Sequence, residues 1–206
     1  MAALRWTHED ALRRRGHRLI AGLDEVGRGC LAGPVVAAAV ILDRRSRLPG
    51  VRDSKLLSEA QRRQQFGCIV LSAIAYGFGV ADAEMVDRMN VVGATREAMR
   101  EAVVSLCWPP DALLIDAVAL PDLDLTQHSL IHGDARCLSI AAASILAKVF
   151  RDEMMKEFDD FYPAYRFRRN KGYPTLEHRR AIGVMGLSPL HRRTFSSQLL
   201  LPQQGQ

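Results

Sequence analysis

The sequence predicts a layered domain of strands and helices, α/β or α+β, and three observations carry that reading. Two apolar strand-like runs, Ile20–Asp24 and Val35–Leu42, stand close together near the N-terminus. Later strand-like runs alternate with helical patterns, the order expected of a sheet covered by helices. The 206 residues, 48% hydrophobic and 25% charged, suit one domain with a sizeable core, taken as residues 1–206.

Thr7 is placed to cap a short helix through Arg15, with Glu9 and Asp10 early and arginines late, as the helix dipole favours. Val35–Leu42 is apolar on both faces and therefore reads as a central strand. Ser58 and Gln61 form a capping box for a helix carrying Phe66, Ile69, Val70 and Ala73. Ala75–Val80 has a weaker strand pattern. Asn90 caps a helix with Ala94, Ala98, Ala102 and Leu106 along one stripe, stopped by Pro109-Pro110. Ala112–Asp116 is a short apolar run ending on an acid, and Ser129–Asp134 repeats that profile more weakly. A long helix follows, with Ile140, Ala143, Ala147, Phe150, Met154, Phe158 and Phe161 at helical spacing. Its opening stretch, Ser139 to Ser144, is built largely of small residues, so another element can pack close against it. Thr175 caps one further helix before Gly186.

No stretch reaches the roughly 18 apolar residues of a membrane span, and the N-terminus lacks the apolar centre of a signal peptide. A cytoplasmic protein with no membrane contact is the expectation. Cys30, Cys68, Cys107 and Cys137 are widely separated and form no metal-type pair, so free, mostly buried thiols are expected. Net charge is +5, distributed unevenly. From residue 162 onward, Arg166, Arg168, Arg169, Lys171, Arg179, Arg180, Arg192 and Arg193 face one acid, Glu177, leaving +7 there and −2 in the remainder. Aromatics and glycines interleave these charges, which favours a nucleic-acid surface over a merely solvated face. This basic C-terminal segment, approximately 162–206, is the expected substrate-binding part.

The chemistry concentrates in the stretch from Ile20 to Leu42. An apolar run carries the chain inward and then presents two adjacent acids, Asp24 and Glu25, followed by a Gly27-Arg28-Gly29 turn. Desolvating even one carboxylate is costly, so a compensating cation is required. Arg28 alone cannot neutralise both. Asp116 and Asp134 also close apolar runs, and strand ends can converge on one edge of a sheet. Four carboxylates carry −4, which two Mg²⁺ or Mn²⁺ ions would offset, and Mg²⁺ prefers oxygen ligands. Glycines tolerate close backbone approach to a ligand. Lone residues have blander readings: loop acids for Asp116 and Asp134, a surface lysine for Lys55, and pairing with Asp152 for Lys148 and Arg151. His128, His178 and His191 have no nucleophile partner, so a hydrolytic triad is not expected.

These motifs resemble those of prokaryotic ribonuclease HII, in order, from about Ile20 to Phe195. The Asp24-Glu25 block is similar to that family's N-terminal signature, and Gly133-Asp134-Ala135-Arg136 with the helix opening is similar to its second. Asp53-Ser54-Lys55 and Lys171-Gly172-Tyr173-Pro174-Thr175 resemble two further elements. The resemblance implies a ribonuclease H-like mixed sheet of about five strands flanked by helices, with a C-terminal helical segment. It implies that Asp24, Glu25, Asp116 and Asp134 bind catalytic metal, and that Gly27, Arg28 and Gly29 read a ribose. Lys55, Lys148, Arg151 and Lys171 would approach the nucleic-acid backbone, and Tyr173 would stack on the deoxyribose following the ribonucleotide. The implied substrates are RNA–DNA hybrids and duplex DNA containing single ribonucleotides, cut to 5′-phosphate and 3′-hydroxyl ends by an enzyme expected to be monomeric. The short stretch before Ile20 argues against the related type III enzymes, which carry an extra N-terminal domain. Departures from the family pattern are Ala117 for glycine, Arg136 for lysine, Cys30 for proline, Leu56 for lysine and Pro174 for glycine. A DNA-specific nuclease on the same fold, such as a resolvase, and a non-catalytic nucleic-acid-binding module are the rival readings.

Overall fold

The two early apolar runs form the centre of a five-stranded mixed sheet in a computed structural model that describes residues 4–196. The tail Leu199–Gln206 lies outside the described residues. The strands are β1 (Ile20–Val26), β2 (Val35–Leu42), β3 (Ala73–Ala81), β4 (Ala112–Asp116) and β5 (Thr126–Leu130), in the order β3-β2-β1-β4-β5. β1, β2 and β3 form an antiparallel meander, whereas β4 runs parallel to β1 and β5 parallel to β4. All eight residues of β2 are buried, as its two-sided apolar pattern requires.

Side chains alternate across a strand, so the sheet feeds two cores. Ala21, Leu23, Val35, Ala37, Ala39 and Ile41 pack on one face with Ala94, Ala98, Met99 and Ala102 of α3 (Ala83–Val104). Val36, Ala38 and Val40 pack on the other with Ala142, Ile145 and Leu146 of α4 (Leu138–Phe161) and Ile69 of α2 (Glu59–Ser72). The small residues at the start of α4 permit close approach: a Cβ on Gly22 would fall 2.2 Å from the Ser139 carbonyl carbon. A third cluster, with Met155, Tyr165, Phe167 and Ile182, joins α4 and the loop after β1 to the C-terminal layer. That layer holds α5 (Phe167–Asn170), α6 (Leu176–Met185) and α7 (Arg193–Ser196).

The capping box at Ser58 and Gln61 is formed, and the Thr175 side chain accepts from the His178 amide at the start of α6. Three expectations need correction. Thr7 is the first residue of α1 (Thr7–Arg14), and Trp6 takes the cap position with no side-chain acceptor. Trp6 is instead fixed by the Arg13 and Arg44 guanidinium groups, 5.0 and 5.5 Å from its ring. Asn90 does cap a helix, accepting from the Val92 and Gly93 amides, but it does so at a kink inside α3 (φ 57°). An earlier helical segment, capped by Asp82, precedes it. The weaker run read as Ser129–Asp134 is shifted: β5 ends at Leu130, Ile131 is exposed, and Asp134 lies in a one-turn 3-10 helix, Gly133–Ala135. β5 pairs on one side only, so its partly exposed residues carried little period-two signal.

All four cysteines are free; Cys30 and Cys137 are buried, but Cys68 and Cys107 are exposed. Among the described residues no helix is long and apolar enough to cross a membrane.

Candidate active site

Parallel pairing of β1 with β4 places their acidic ends together. The last registered pair is Leu23 with Ile115, so Asp24 and Asp116 are the next residues at the same end of adjacent strands. Alternation turns Asp24 toward the α4 face, where Ser144 hydrogen-bonds its carboxylate and itself contacts Ser54 Oγ at 2.9 Å. Glu25 turns the other way and pairs with Arg28 at 3.0 Å, while its second oxygen, Oε2, is buried with no hydrogen-bond partner. Asp116 accepts from the Gly133 amide at 2.8 Å, which ties the end of β4 to the turn bearing Asp134. Asp134 is buried, and Lys55 Nζ, reaching from a short 3-10 turn capped by Asp53, lies 2.9 Å from it.

Burial pushes the Asp24 carboxyl well above the usual carboxylate range, and the adjacent Glu25 charge raises it further. Burial also raises Glu25, against the opposing pull of Arg28, and the Asp116 charge adds to both. Lys55 is raised by its hydrogen bond to Asp134. The acids thus share one electrostatic neighbourhood with fewer positive charges than negative ones. Among the described residues no three acid, His or Cys side chains stand close enough to enclose a metal ion. Arg28, the Gly133 amide and Lys55 each contact one of the carboxylates. The residues nevertheless fit a divalent cation, because Glu25 Oε2 is buried without a donor and Asp24 is strained by burial beside a like charge.

The flanking residues divide into two kinds. Gly29 opens onto free space, whereas Gly27, at φ 95°, seats Arg151: a Cβ there would fall 2.4 Å from Arg151 Nε. Tyr173 is 37% exposed, with Lys148 Nζ 5.8 Å from its ring, and Lys148 is paired with Asp152 at 2.7 Å. Lys171 turns its Nζ onto the Arg168 carbonyl. Arg151 is a correction. It is fully buried, and its guanidinium donates to the Pro34, Lys171 and Ala32 carbonyls, so it cannot face a groove as expected.

His178 and His191 form a buried pair, Nε2 to Nε2 3.0 Å, that links the Tyr173 carbonyl to Ser188. Burial pushes His191 down to about 4. The basic segment is also less free than its composition suggested: Arg166 pairs with Glu177, Arg168 with Asp160, and Arg192 is buried. Ser144, as the polar partner of Asp24, and Ser54 behind it were not legible in the sequence. Ser144 was read only as a small residue, and its spacing two turns before Arg151 held no signal for a hydroxyl role.

Comparison with known proteins identifies the family of the chain. The family model described as ribonuclease HII matches residues 21–198. Ribonuclease HII of Enterococcus faecalis is 52% identical over 188 residues, covering 91% of this chain and 73% of that protein. Ribonuclease HII of Geobacter sulfurreducens is 52% identical over 190 residues, covering 92% and 88%. The crystal structure of ribonuclease H2 from Pyrococcus horikoshii superposes with a TM-score of 0.75 at 25% identity, covering 88% of this chain and 97% of that one. A matching mixed sheet, family match and half-identical relatives together place this chain in the ribonuclease HII family of nucleases.

Proposed function

We propose that the protein is a divalent-metal-dependent endonuclease that hydrolyses the RNA strand of RNA–DNA hybrids. It also incises at single ribonucleotides embedded in duplex DNA, leaving 5′-phosphate and 3′-hydroxyl ends. The observation that carries this reading is the under-compensated acid group at the shared end of β1 and β4, with Glu25 Oε2 buried and unpartnered. Asp24, Glu25, Asp116 and Asp134 are the residues that would hold Mg²⁺ or Mn²⁺. When bound, the metal supplies charge stabilisation and water activation for phosphodiester hydrolysis.

The chain's own groups prepare the rest. Ser144 hydrogen-bonds the Asp24 carboxylate and is itself held by Ser54. Lys55 keeps positive charge beside Asp134 at the place where a phosphate approaches. The open side of Gly29 admits a sugar against bare backbone, and the partly exposed Tyr173 ring is available for stacking on the following deoxyribose. Lys148 adds positive charge near that ring, and Lys171 is the further lysine that would approach the nucleic-acid backbone. Phosphate contacts of this kind position a duplex, whereas the sugar contact selects it.

The test is cleavage of matched duplexes containing one ribonucleotide or none, with and without Mg²⁺ or Mn²⁺. A site built around a hydroxyl leaves its own polar groups unpaired when that hydroxyl is missing. The all-DNA duplex should be cut at least about a thousandfold more slowly, roughly 4 kcal/mol of transition-state stabilisation. Equal rates on the two duplexes would overturn the ribonuclease reading in favour of a DNA nuclease. Metal-independent cleavage would remove the proposed centre.

A further inference from the structure

Arg151 and Arg192 are the largest fully buried side chains of the molecule, and among the described residues neither has a carboxylate within ion-pair distance. Burying an unpaired charge costs several kcal/mol unless hydrogen bonds satisfy it. Here backbone carbonyls do so. Arg151 donates to Pro34, Ala32 and Lys171, and Arg192 donates to Gly33 and Arg28. These carbonyls belong to two segments far apart in sequence, the loop after β1 and the Lys171-Gly172-Tyr173 turn. The two segments also touch directly: the Leu31 amide donates to the Gly172 carbonyl at 2.9 Å. A Cβ on Gly172 would fall 2.1 Å from the Ala32 oxygen.

The contact at Arg28 has a further geometric result. A trans peptide is planar, with its N–H opposite its C=O. Arg192 Nη1 holds the Arg28 carbonyl inward at 2.9 Å. The Gly29 N–H of that same peptide therefore points away from the Arg192 guanidinium, and Gly29 is exposed, with open space around the position of a Cβ. Among the described residues this N–H has no hydrogen-bond partner. It is an unpartnered donor whose peptide is held from the other side by Arg192.

We infer that Arg151 and Arg192 are positioning residues for substrate choice: Arg151 ties the loop after β1 to the Tyr173 segment, and Arg192 holds the Arg28 peptide so that the Gly29 amide meets the substrate sugar. This rests on the ribonuclease reading above. Neither guanidinium touches substrate; each acts through the peptides it holds. Lysine keeps the charge but loses the planar fork of donors, so it should not replace either arginine.

The experiment uses Arg192→Lys and Arg151→Lys in the full chain, on duplexes with one ribonucleotide or none. The ratio of kcat/KM for the two duplexes should fall at least about tenfold, with the loss in kcat, because a misaimed donor costs stabilisation of the transition state more than affinity. Binding of the all-DNA duplex should stay within about twofold, since phosphate contacts supply most affinity. An unchanged ratio in a folded variant overturns the inference, as does an equal proportional loss on both duplexes. Absence of discrimination by the wild type would instead overturn the ribonuclease reading, and this inference with it. Should both variants fail to fold, the backbone order parameter of Gly29 in the free wild type decides. A value near about 0.85 supports a pre-aimed amide, and a value below about 0.6 overturns it.

Discussion

Glu9 and Glu25 make a useful pair. Glu9 is buried and Glu25 nearly so, and each has one carboxylate oxygen, Oε2, without a hydrogen-bond partner. Glu9 Oε1, however, sits at the N-terminus of α4 and accepts from the Ser139 amide at 2.8 Å, the Ser139 hydroxyl at 2.9 Å and the Cys137 thiol. It acts as a helix cap supplied from α1, where the positive end of the helix dipole favours an anion. Burial, and after it the same Glu9 charge, pushes the Cys137 thiol well above its ordinary range. Glu25 has Arg28 on one oxygen but stands beside Asp24 and Asp116. Burial and an orphan oxygen therefore do not by themselves mark a site. Crowding of like charge is the stronger mark, because its repulsion has to be relieved by a bound proton or a cation.

The strongest way to break that comparison is to remove one acid from each place. Asp24→Asn or Asp116→Asn should lower Mg²⁺-dependent cleavage by at least about a thousandfold while the fold persists, since shape is kept and only charge is lost. Near-normal turnover in both variants would discard the centre. Glu9→Gln should do the reverse: cleavage per folded molecule is retained, but stability drops by about 1–3 kcal/mol, the usual cost of weakening hydrogen bonds to a buried charge. Chemical denaturation checks it.

The pH dependence of the metal-free protein sharpens the contrast. Asp24 and Glu25 have folded-state values raised above the unfolded ones, so the folded protein binds protons more readily than the unfolded chain. Their contribution to stability is therefore favourable at low pH and lost as pH rises through the folded values. Asp24→Asn should reduce that part of the slope and raise the metal-free denaturation midpoint near neutrality. No change in slope would mean that the two acids are not mutually strained.

The smallest effect is expected at the exit of β4. Ala117, where the family commonly has glycine, adopts φ 53°, a left-handed conformation that disfavours a Cβ. Ala117→Gly should relieve that strain but enlarge the freedom of the unfolded chain, for a net gain of no more than about 1 kcal/mol. A lowered midpoint would show that the Ala117 methyl contributes packing that outweighs its backbone.

Short-range chemistry was the most legible part of the sequence. The Ser58 box, the Thr175 cap, the ends of β2 and β4 and the span of α4 follow from a side chain within three residues of a helix start or from an unbroken apolar run. The acid pair at the end of β1 was legible for the same reason. Arg151, Arg192 and Glu9 were not. Each is a charged residue on a polar-looking local pattern, and most of its partners lie more than 100 residues away. Even the basic C-terminal run, read as one surface, splits into buried, paired and exposed arginines.

The sequence by itself determined most of the strands and helices, because propensity, caps and periodicity act over a few residues; the edge strand β5 and the first part of α3 were the exceptions. It also set the four acids at or just beyond strand ends. Tertiary structure alone decided which charges are buried and what satisfies them. The sequence pattern was the same for a guanidinium meeting phosphate and one meeting carbonyls, and only the packing of α4 and the C-terminal layer over the loop after β1 separates the two. Burial depends on which distant backbone arrives beside the side chain, and no local pattern encodes that arrival.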